Sequence, residues 1–266
     1  MSLKIATWNI NSVRLRLPLV ERFLIDQAPD VLCLQEIKCR EAEFPYSAFK
    51  KLGYGHVQIN GQKGYHGVAI ISRHPLDDVD RKEFCGNSDA RFIGATVSSH
   101  DVRLHNFYVP AGGDIPDPDL NVKFAHKLAF LEEMKDWANV ISAQYPRSVL
   151  VGDLNVAPLE TDVWNHKALL KIVSHTLGEV ERLIAVQNAG QWFDAGRFGT
   201  PLEEKIFTWW SYRSPNWEAS DRGRRLDHVW TTPSLKPKVK SCQVFKDIRN
   251  WERPSDHVPV LVHLAD

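Results

Sequence analysis

SVLVGDLNVAP, Ser148 to Pro158, is a short apolar run closed by a glycine, then by an acid and an amide two residues apart. Val149, Leu150 and Val151 read as a strand buried on both faces, and Gly152 interrupts the run where a backbone must approach something closely. Side chains alternate along an extended chain, so Asp153 and Asn155 leave the carboxyl end of that strand on one side. An acid beside an amide suits proton abstraction with oxyanion support, or ligation of a hard metal ion. Taken alone, GDLN is most simply a turn that closes a strand, and its meaning depends on the other strand ends.

Toward the amino terminus, Leu3 to Ile10 is a second apolar strand, and Asn9 and Asn11 leave one face of its end. Val13 to Gln27 reads as an amphipathic helix capped by Ser12. Ala28 to Lys38, APDVLCLQEIK, is a nearly continuous apolar strand that finishes in Gln35, Glu36 and Lys38. A lone glutamate at such an end is ordinarily solvated or salt-bridged. Glu41 to Leu52 looks helical, and strands follow at His56–Asn60, His66–Arg73, Arg91–Ser98 and Val102–Val109. The last delivers Tyr108 just before Pro110, by default a boundary aromatic with its hydroxyl in water. Ala111 to Pro118 reads as a mobile loop.

From Asp119 to Gln144, Phe124, Leu128 and Leu131, with Phe130, Met134, Trp137 and Ile141, recur at helical spacing, so a long helix packs on a sheet and its aromatics are core. Beyond the central strand come a loop with some helix (Pro158–Ser174), a helix (Leu177–Asn188) and an aromatic strand (Ile206–Tyr212). Leu226–Trp230 is a further strand with Asp227 inside it, as is Ser241–Val244, and Asp256 and His257 stand just before the closing strand of Pro254–Leu264.

The 266 residues show no compositional break, which predicts one domain over 1–266. The 33 basic residues balance the 33 acidic ones, so a polyanion would have to be met by a local basic patch. The four cysteines are scattered, without a CxxC pair or a leader ahead of them, which predicts reduced thiols and a cytoplasmic protein. No apolar run is long enough to span a bilayer, so a membrane role is not expected.

Collected, the polar strand ends are Asn9, Asn11, Glu36, Tyr108, Asp153, Asn155, Asp227, Asp256 and His257. In a two-sheet sandwich such ends can meet at one rim, offering hard oxygen donors for Mg²⁺ and a histidine to handle a phosphate or a proton. Near Asp227, the residues Trp209, Trp210, Arg213, Arg222, Arg224 and Arg225 supply aromatics and cations that suit a nucleic-acid backbone and an opened end. Singly, Trp209 or Trp210 reads equally well as core, and the arginines as solvated surface.

These residues sit in ATWNINSVR, PDVLCLQEIK, GYHGVAIIS, NFYVP, GDLNVAP, FTWWSYRS, RLDHVW and PSDHVPV, which cover essentially the whole chain. With them the sequence resembles the exonuclease III family of DNA repair nucleases, within the endonuclease/exonuclease/phosphatase superfamily. LQEIK, GDLN and SDH in this order carry the superfamily; Lys38 after QE, the NFYVP tyrosine and WWSYRS narrow it to the exonuclease III branch. The resemblance implies a four-layered α/β/β/α sandwich of two packed mixed sheets with helices outside. It implies Mg²⁺, replaceable by Mn²⁺, bound by Glu36, with Asn9, Asp153, Asn155, Asp256 and His257 lining one or two metal positions. Asp153 would orient or deprotonate the attacking water, and Asn155 would support the pentacovalent phosphate. Asp227 would fix the His257 tautomer, and His257 and Tyr108 would contact phosphate oxygens. Lys38 would support this shell, and with Asn11 and Leu226 would join the DNA-facing residues. The implied partner is duplex DNA with 3′ ends, nicks or abasic sites, met by a monomer.

The chain departs from that family at four places. Ala111 follows the YVP tyrosine motif where abasic-site enzymes carry asparagine or glutamine, and Arg224 stands before RLD where they place a hydrophobic residue. Trp164 and His166 add bulk after GDLN, and the NxGxR pattern begins with Asp221. The phosphate chemistry is untouched by these changes, so trimming at 3′ ends is expected ahead of abasic-site incision. A superfamily phosphatase for inositol phosphates or lipids would leave WWSYRS and NFYVP without a purpose. A disabled DNA-binding module is disfavoured because each expected polar group of the metal and phosphate shell is present.

Overall fold

The computed structural model describes residues 2–214 and 216–265. Among them are twelve strands: β1 (Leu3–Asn9), β2 (Val31–Gln35), β3 (His56–Asn60), β4 (Val68–Ser72), β5 (Leu76–Asp80), β6 (Phe92–Val97), β7 (Val102–Tyr108), β8 (Ser148–Asp153), β9 (Phe193–Asp194), β10 (Asp227–Thr231), β11 (Val239–Val244) and β12 (Val260–Leu264). They form two six-stranded mixed sheets, β11-β12-β1-β2-β4-β3 and β5-β6-β7-β8-β10-β9. In each, a parallel pair lies at the centre, β1 with β2 and β7 with β8, and antiparallel strands flank it.

The continuous apolar runs follow from a layer on each side. In β2, Val31 and Cys33 enter the core between the sheets, while Leu32 and Leu34 pack outward on Val20, Phe23 and Leu24 of α1 (Leu17–Gln27). In β8, Val149 and Val151 face the other sheet, and Leu150 meets the helical layer of α3 (Val122–Gln144) and α5 (Leu177–Ala189). The short helices α2 (Tyr46–Lys51), α4 (His166–Leu169) and α6 (Trp217–Ser220) lie in connections. The result is the four-layered α/β/β/α sandwich. Between its sheets the Gln35 amide donates to Thr7 Oγ1 at 2.9 Å and to Asn106 Oδ1 at 2.7 Å, which pins β2 on β7.

Gly152 sits at φ 141°, and a Cβ there would lie 1.9 Å from the Phe107 carbonyl oxygen. The close approach read from the sequence is therefore to the neighbouring strand. It brings the ends of β7 and β8 together, with Tyr108 opposite Asp153.

Several local expectations are corrected. Helix α1 begins at Leu17 rather than Val13, and Ser12, at φ 90°, lies in the preceding turn. Pro45 divides Glu41–Leu52 into a 3-10 turn and α2. Ile206–Tyr212 is not a strand: Trp209 makes only isolated bridges, to Arg224 and His257. The aromatic composition there reflects packing in a small cluster of Phe207, Trp210 and Val258, not sheet pairing. Strands β5 and β9 were not foreseen, because one is an edge strand rich in aspartate and the other only two residues long. On α3, Leu128 is only partly buried whereas Lys127 is fully buried.

Candidate active site

Parallel central strands send their carboxyl ends to the same rim, and the antiparallel β10 and β12 begin there. Asn9 and Glu36 thus arrive from one sheet, Tyr108 and Asp153 from the other, and Asp227 and His257 from the starts of β10 and β12. The backbone bends sharply at this rim: Asn11, Glu36, Lys38 and Asn155 all have positive φ, between 48° and 53°. For Glu36 and Lys38 that conformation costs about 1 kcal/mol each, so the surrounding hydrogen bonds must hold it.

Those bonds form one network. Asn9 Nδ2 donates to Asp153 Oδ2 at 2.8 Å and to Glu36 Oε1 at 3.0 Å, while its Oδ1 accepts from the Asn11 backbone at 3.1 Å. Asn9 therefore presents its nitrogen to the two carboxylates. In this arrangement it bridges and orients the acids beside the metal positions. Glu36 also accepts from the Tyr108 hydroxyl at 2.8 Å and pairs with Lys38 Nζ at 2.8 Å. Burial works to raise the Glu36 pKa, but Lys38 and the donors from Asn9 and Tyr108 outweigh it and hold the carboxyl below its usual range. The Tyr108 hydroxyl is pushed well above its usual value by burial and by Glu36 and Asp153.

Asp153 Oδ1 accepts from the Asn155 backbone at 3.0 Å, and its Oδ2 accepts from Asn155 Nδ2 at 3.1 Å. Burial, reinforced by Asp227 and Glu36, raises its pKa to about 7 against the opposing pull of His257 and Asn9. His257 Nδ1 lies 2.8 Å from Asp227 Oδ2, and its Nε2 lies 3.7 Å from Asp153 Oδ2. Burial disfavours a charged imidazole, yet Asp227 and Asp153 together push its pKa to about 10, so the ring is held as imidazolium. Ser255 supports this corner from below, accepting from the His257 backbone and donating to the Asn9 carbonyl.

Asp153, Asp227 and His257 bring one donor atom each within 4.8 Å of one another. Asp227 Oδ1 is buried with no hydrogen-bond partner. Glu36 and Asp153 flank the Asn9 amide, and Asp256, half-buried, accepts from Asn11 Nδ2 at 3.2 Å and from Trp209 Nε1 at 3.0 Å. The ligands on offer are the carboxylate oxygens of Glu36, Asp153, Asp227 and Asp256, beside the His257 imidazolium, with the cysteines elsewhere. Such a set fits a hard divalent cation rather than a soft one, and a cation would offset the burial and the neighbouring carboxylates that raise Asp153.

Next to these groups opens a cleft of about 760 Å³, lined by Tyr108, Trp164, Trp209, Arg213, Arg222 and Arg224 among others. Arg224 donates to the Val173 carbonyl at 2.9 Å and Ser174 Oγ at 2.7 Å, and lies over the Trp209 ring. Arg222 lies over the Trp164 ring. Arg213 and Arg222 are exposed, and Leu226 packs in the cleft floor with Ala157, Val163 and Leu169.

Two residues expected to meet DNA do not present the needed groups. Arg225 is 1% exposed, with its guanidinium spent on Asp162 and Asp194. Trp210, also 1% exposed, packs on Phe207 and Trp217 and donates to Asp221 Oδ1 at 2.9 Å. Four residues that support the site escaped the sequence reading. Arg91 lies over the Tyr108 ring, Thr208 accepts from the Asp227 backbone, and Lys127 and Ser255 hold backbone carbonyls. An arginine, a threonine, a lysine or a serine in such stretches carries no sign of its burial; only SDH adjacency pointed to Ser255.

Known proteins share this arrangement of chain and fold. The endonuclease/exonuclease/phosphatase family matches residues 6–257. Exodeoxyribonuclease III of Haemophilus influenzae is 29% identical over 279 aligned positions, which cover 97% of this chain and 98% of the relative. NExo of Neisseria meningitidis, a 3′-5′ exonuclease, superposes with a TM-score of 0.91 at 32% identity, over 99% of this chain and 100% of that one. A variant of NExo, called a 3′ phosphatase, has been seen bound to a product DNA hairpin. An AP endonuclease from Archaeoglobus fulgidus gives a TM-score of 0.89 at 33% identity, over 98% of both chains. With the rim of carboxylates, amides and imidazolium held on this fold, the chain belongs to the endonuclease/exonuclease/phosphatase family, in its exonuclease III and AP endonuclease branch.

Proposed function

We propose that this chain, acting as a single-domain monomer, is a Mg²⁺-dependent hydrolase of phosphate esters in duplex DNA. It trims and processes 3′ ends as exodeoxyribonuclease III does, and incises 5′ to abasic sites as a secondary activity. The observation that carries the chemistry is the convergence of Glu36, Asp153 and the Asp227–His257 pair beside one open cleft.

Glu36, Asp153 and Asp256 are the carboxylates that would hold the ion; Mg²⁺ there, or Mn²⁺ in its place, supplies a Lewis acid for the phosphoryl oxygens. His257 contributes a fixed positive charge and an Nε2–H donor for a phosphate oxygen, its other nitrogen occupied by Asp227. Tyr108 keeps its proton and donates it at the same wall. Asp153, held by Asn9 and Asn155 at the mouth of the cleft, accepts a proton from an attacking water. Asn155 spends its amide N–H groups on the Val109 carbonyl and on Asp153 Oδ2 and so orients that carboxylate toward the phosphate.

Substrate preference rests on the cleft wall. Arg224, tied to Val173 and Ser174, and Trp164 with Arg222 occupy the side where a flipped abasic sugar would need apolar space. Arg213 and Arg222, both exposed, suit the sugar-phosphate backbone.

End-labelled duplexes with a recessed 3′ end or an internal abasic analogue, incubated with Mg²⁺ or chelator, test this reading against Glu36→Ala protein. Shortening or dephosphorylation of the 3′ end that chelator and Glu36→Ala both abolish is the expected result. Unchanged 3′ ends with robust lesion incision would reverse the assigned preference, and an inert wild-type protein would end the reading.

A further inference from the structure

Lys127 of α3 and Glu179 of α5 form an ion pair at 2.5 Å in which both side chains are 0% exposed. A fully buried pair is a weak source of stability, because desolvation offsets most of the attraction. Its hydrogen bonds show what else it holds. The Lys127 ammonium donates to the Asn155 carbonyl at 2.7 Å and to the Ala111 carbonyl at 3.3 Å. Glu179 accepts from the Ser174 backbone at 2.9 and 3.0 Å and from Thr176. Ser174 Oγ in turn accepts from Arg224. Gly112 lets the lysine stem pass: a Cβ there would stand 2.9 Å from Lys127 Cδ.

Three loops of the cleft, those after β7 and β8 and the one before α5, are therefore gathered on one buried charge. Asn155 sits at φ 53°, held there on one side by its own bonds to Asp153 and the Val109 carbonyl and on the other by the Lys127 ammonium on its carbonyl. We propose that Lys127, paired with Glu179, is a positioning residue for the reaction: it fixes the Asn155 peptide, whose backbone and side-chain N–H groups hold both oxygens of Asp153, and so aims the Asp153 carboxylate. This rests on the hydrolase reading above. Lys127 itself lies behind the loop, where it touches Asn155 and Ala111 only through their carbonyls.

The deciding variant is Lys127→Met/Glu179→Gln, which leaves no unpaired charge and keeps an acceptor for the Ser174 backbone. It removes the Lys127 hold on Asn155 and Ala111 and exchanges one Glu179 oxygen, an acceptor for the Ser174–Thr176 turn, for an amide nitrogen. With Mg²⁺ and a recessed 3′ end, kcat should fall about 10- to 100-fold, the penalty of a small misplacement, while KM stays within about threefold because no cleft-facing group changes. A folded double variant with wild-type kcat overturns the inference. Should that variant not fold, Lys127→Leu/Glu179→Gln is measured in its place, which likewise carries no donor for the Asn155 carbonyl, and the same kcat and KM split decides. Wild-type protein without metal-dependent hydrolysis would instead sink the hydrolase reading, so the two failures are distinguishable.

Discussion

Asp227 and His257 come from strands whose starts meet only at the rim, yet their 2.8 Å contact sets the charge of the whole site. Replacing Asp227 with Asn removes the carboxylate that keeps His257 protonated and leaves an amide in its place. Single-turnover hydrolysis should drop at least ~100-fold, as for other histidines deprived of their orienting acid; a loss below about fivefold would show that His257 does not act through its charge. Under the proposed function, Arg224 takes part in the choice of substrate, not in the chemistry. Arg224→Leu frees the Ser174 hydroxyl and opens apolar space beside Trp209, and should raise abasic-site incision relative to 3′ trimming, read from the two rates on paired substrates. An unchanged ratio would count against the cleft-wall argument.

At the scale of elements, β7 and β8 approach through Gly152, where no side chain fits between the strand and the Phe107 carbonyl. Gly152→Ala combines that clash with a φ of 141° that alanine rarely adopts, and should cost about 3 kcal/mol. Urea unfolding would register it as a lower midpoint at an unchanged slope, with loss of activity because Tyr108 and Asp153 no longer face each other. The segment Ile206–Tyr212 makes the complementary point. Its aromatics have strand composition, but Trp210 and Phe207 pack with Val258, Trp164 and Trp217, while Thr208 serves the Asp227 backbone.

For the molecule as a whole, burial of titratable groups makes stability depend on pH. His105 on β7 is fully buried among Phe92, Trp137 and Trp192, and burial, aided by Arg103, holds its pKa well below 6.5. The unfolded chain therefore binds a proton that the folded chain refuses. The His105 contribution is complete above about pH 6.5 and is lost as pH falls below it, at up to about 1.4 kcal/mol per pH unit. Unfolding free energies at pH 7.5 and 5.5 should converge in His105→Gln by that slope relative to wild type; parallel lines would mean the imidazole is protonated in the fold. Among the described residues no helix is long and apolar enough to cross a membrane.

The periodicity of the chain determined its strands and the long helix, and the short motifs determined its family, because burial on both faces of a central strand leaves a continuous apolar run. That polar groups end those runs was also legible, from Asn9 to His257. What the tertiary structure alone decided is where each charge is spent. Arg224 and Arg225 are neighbours in sequence, yet one lines the cleft and the other is consumed by Asp162 and Asp194. Lys127 reads as a solvated helical lysine and proves to be fully buried against Glu179. Composition reports how many charges a segment carries, whereas desolvation and pairing depend on groups far away in sequence, and only the packed fold brings those together.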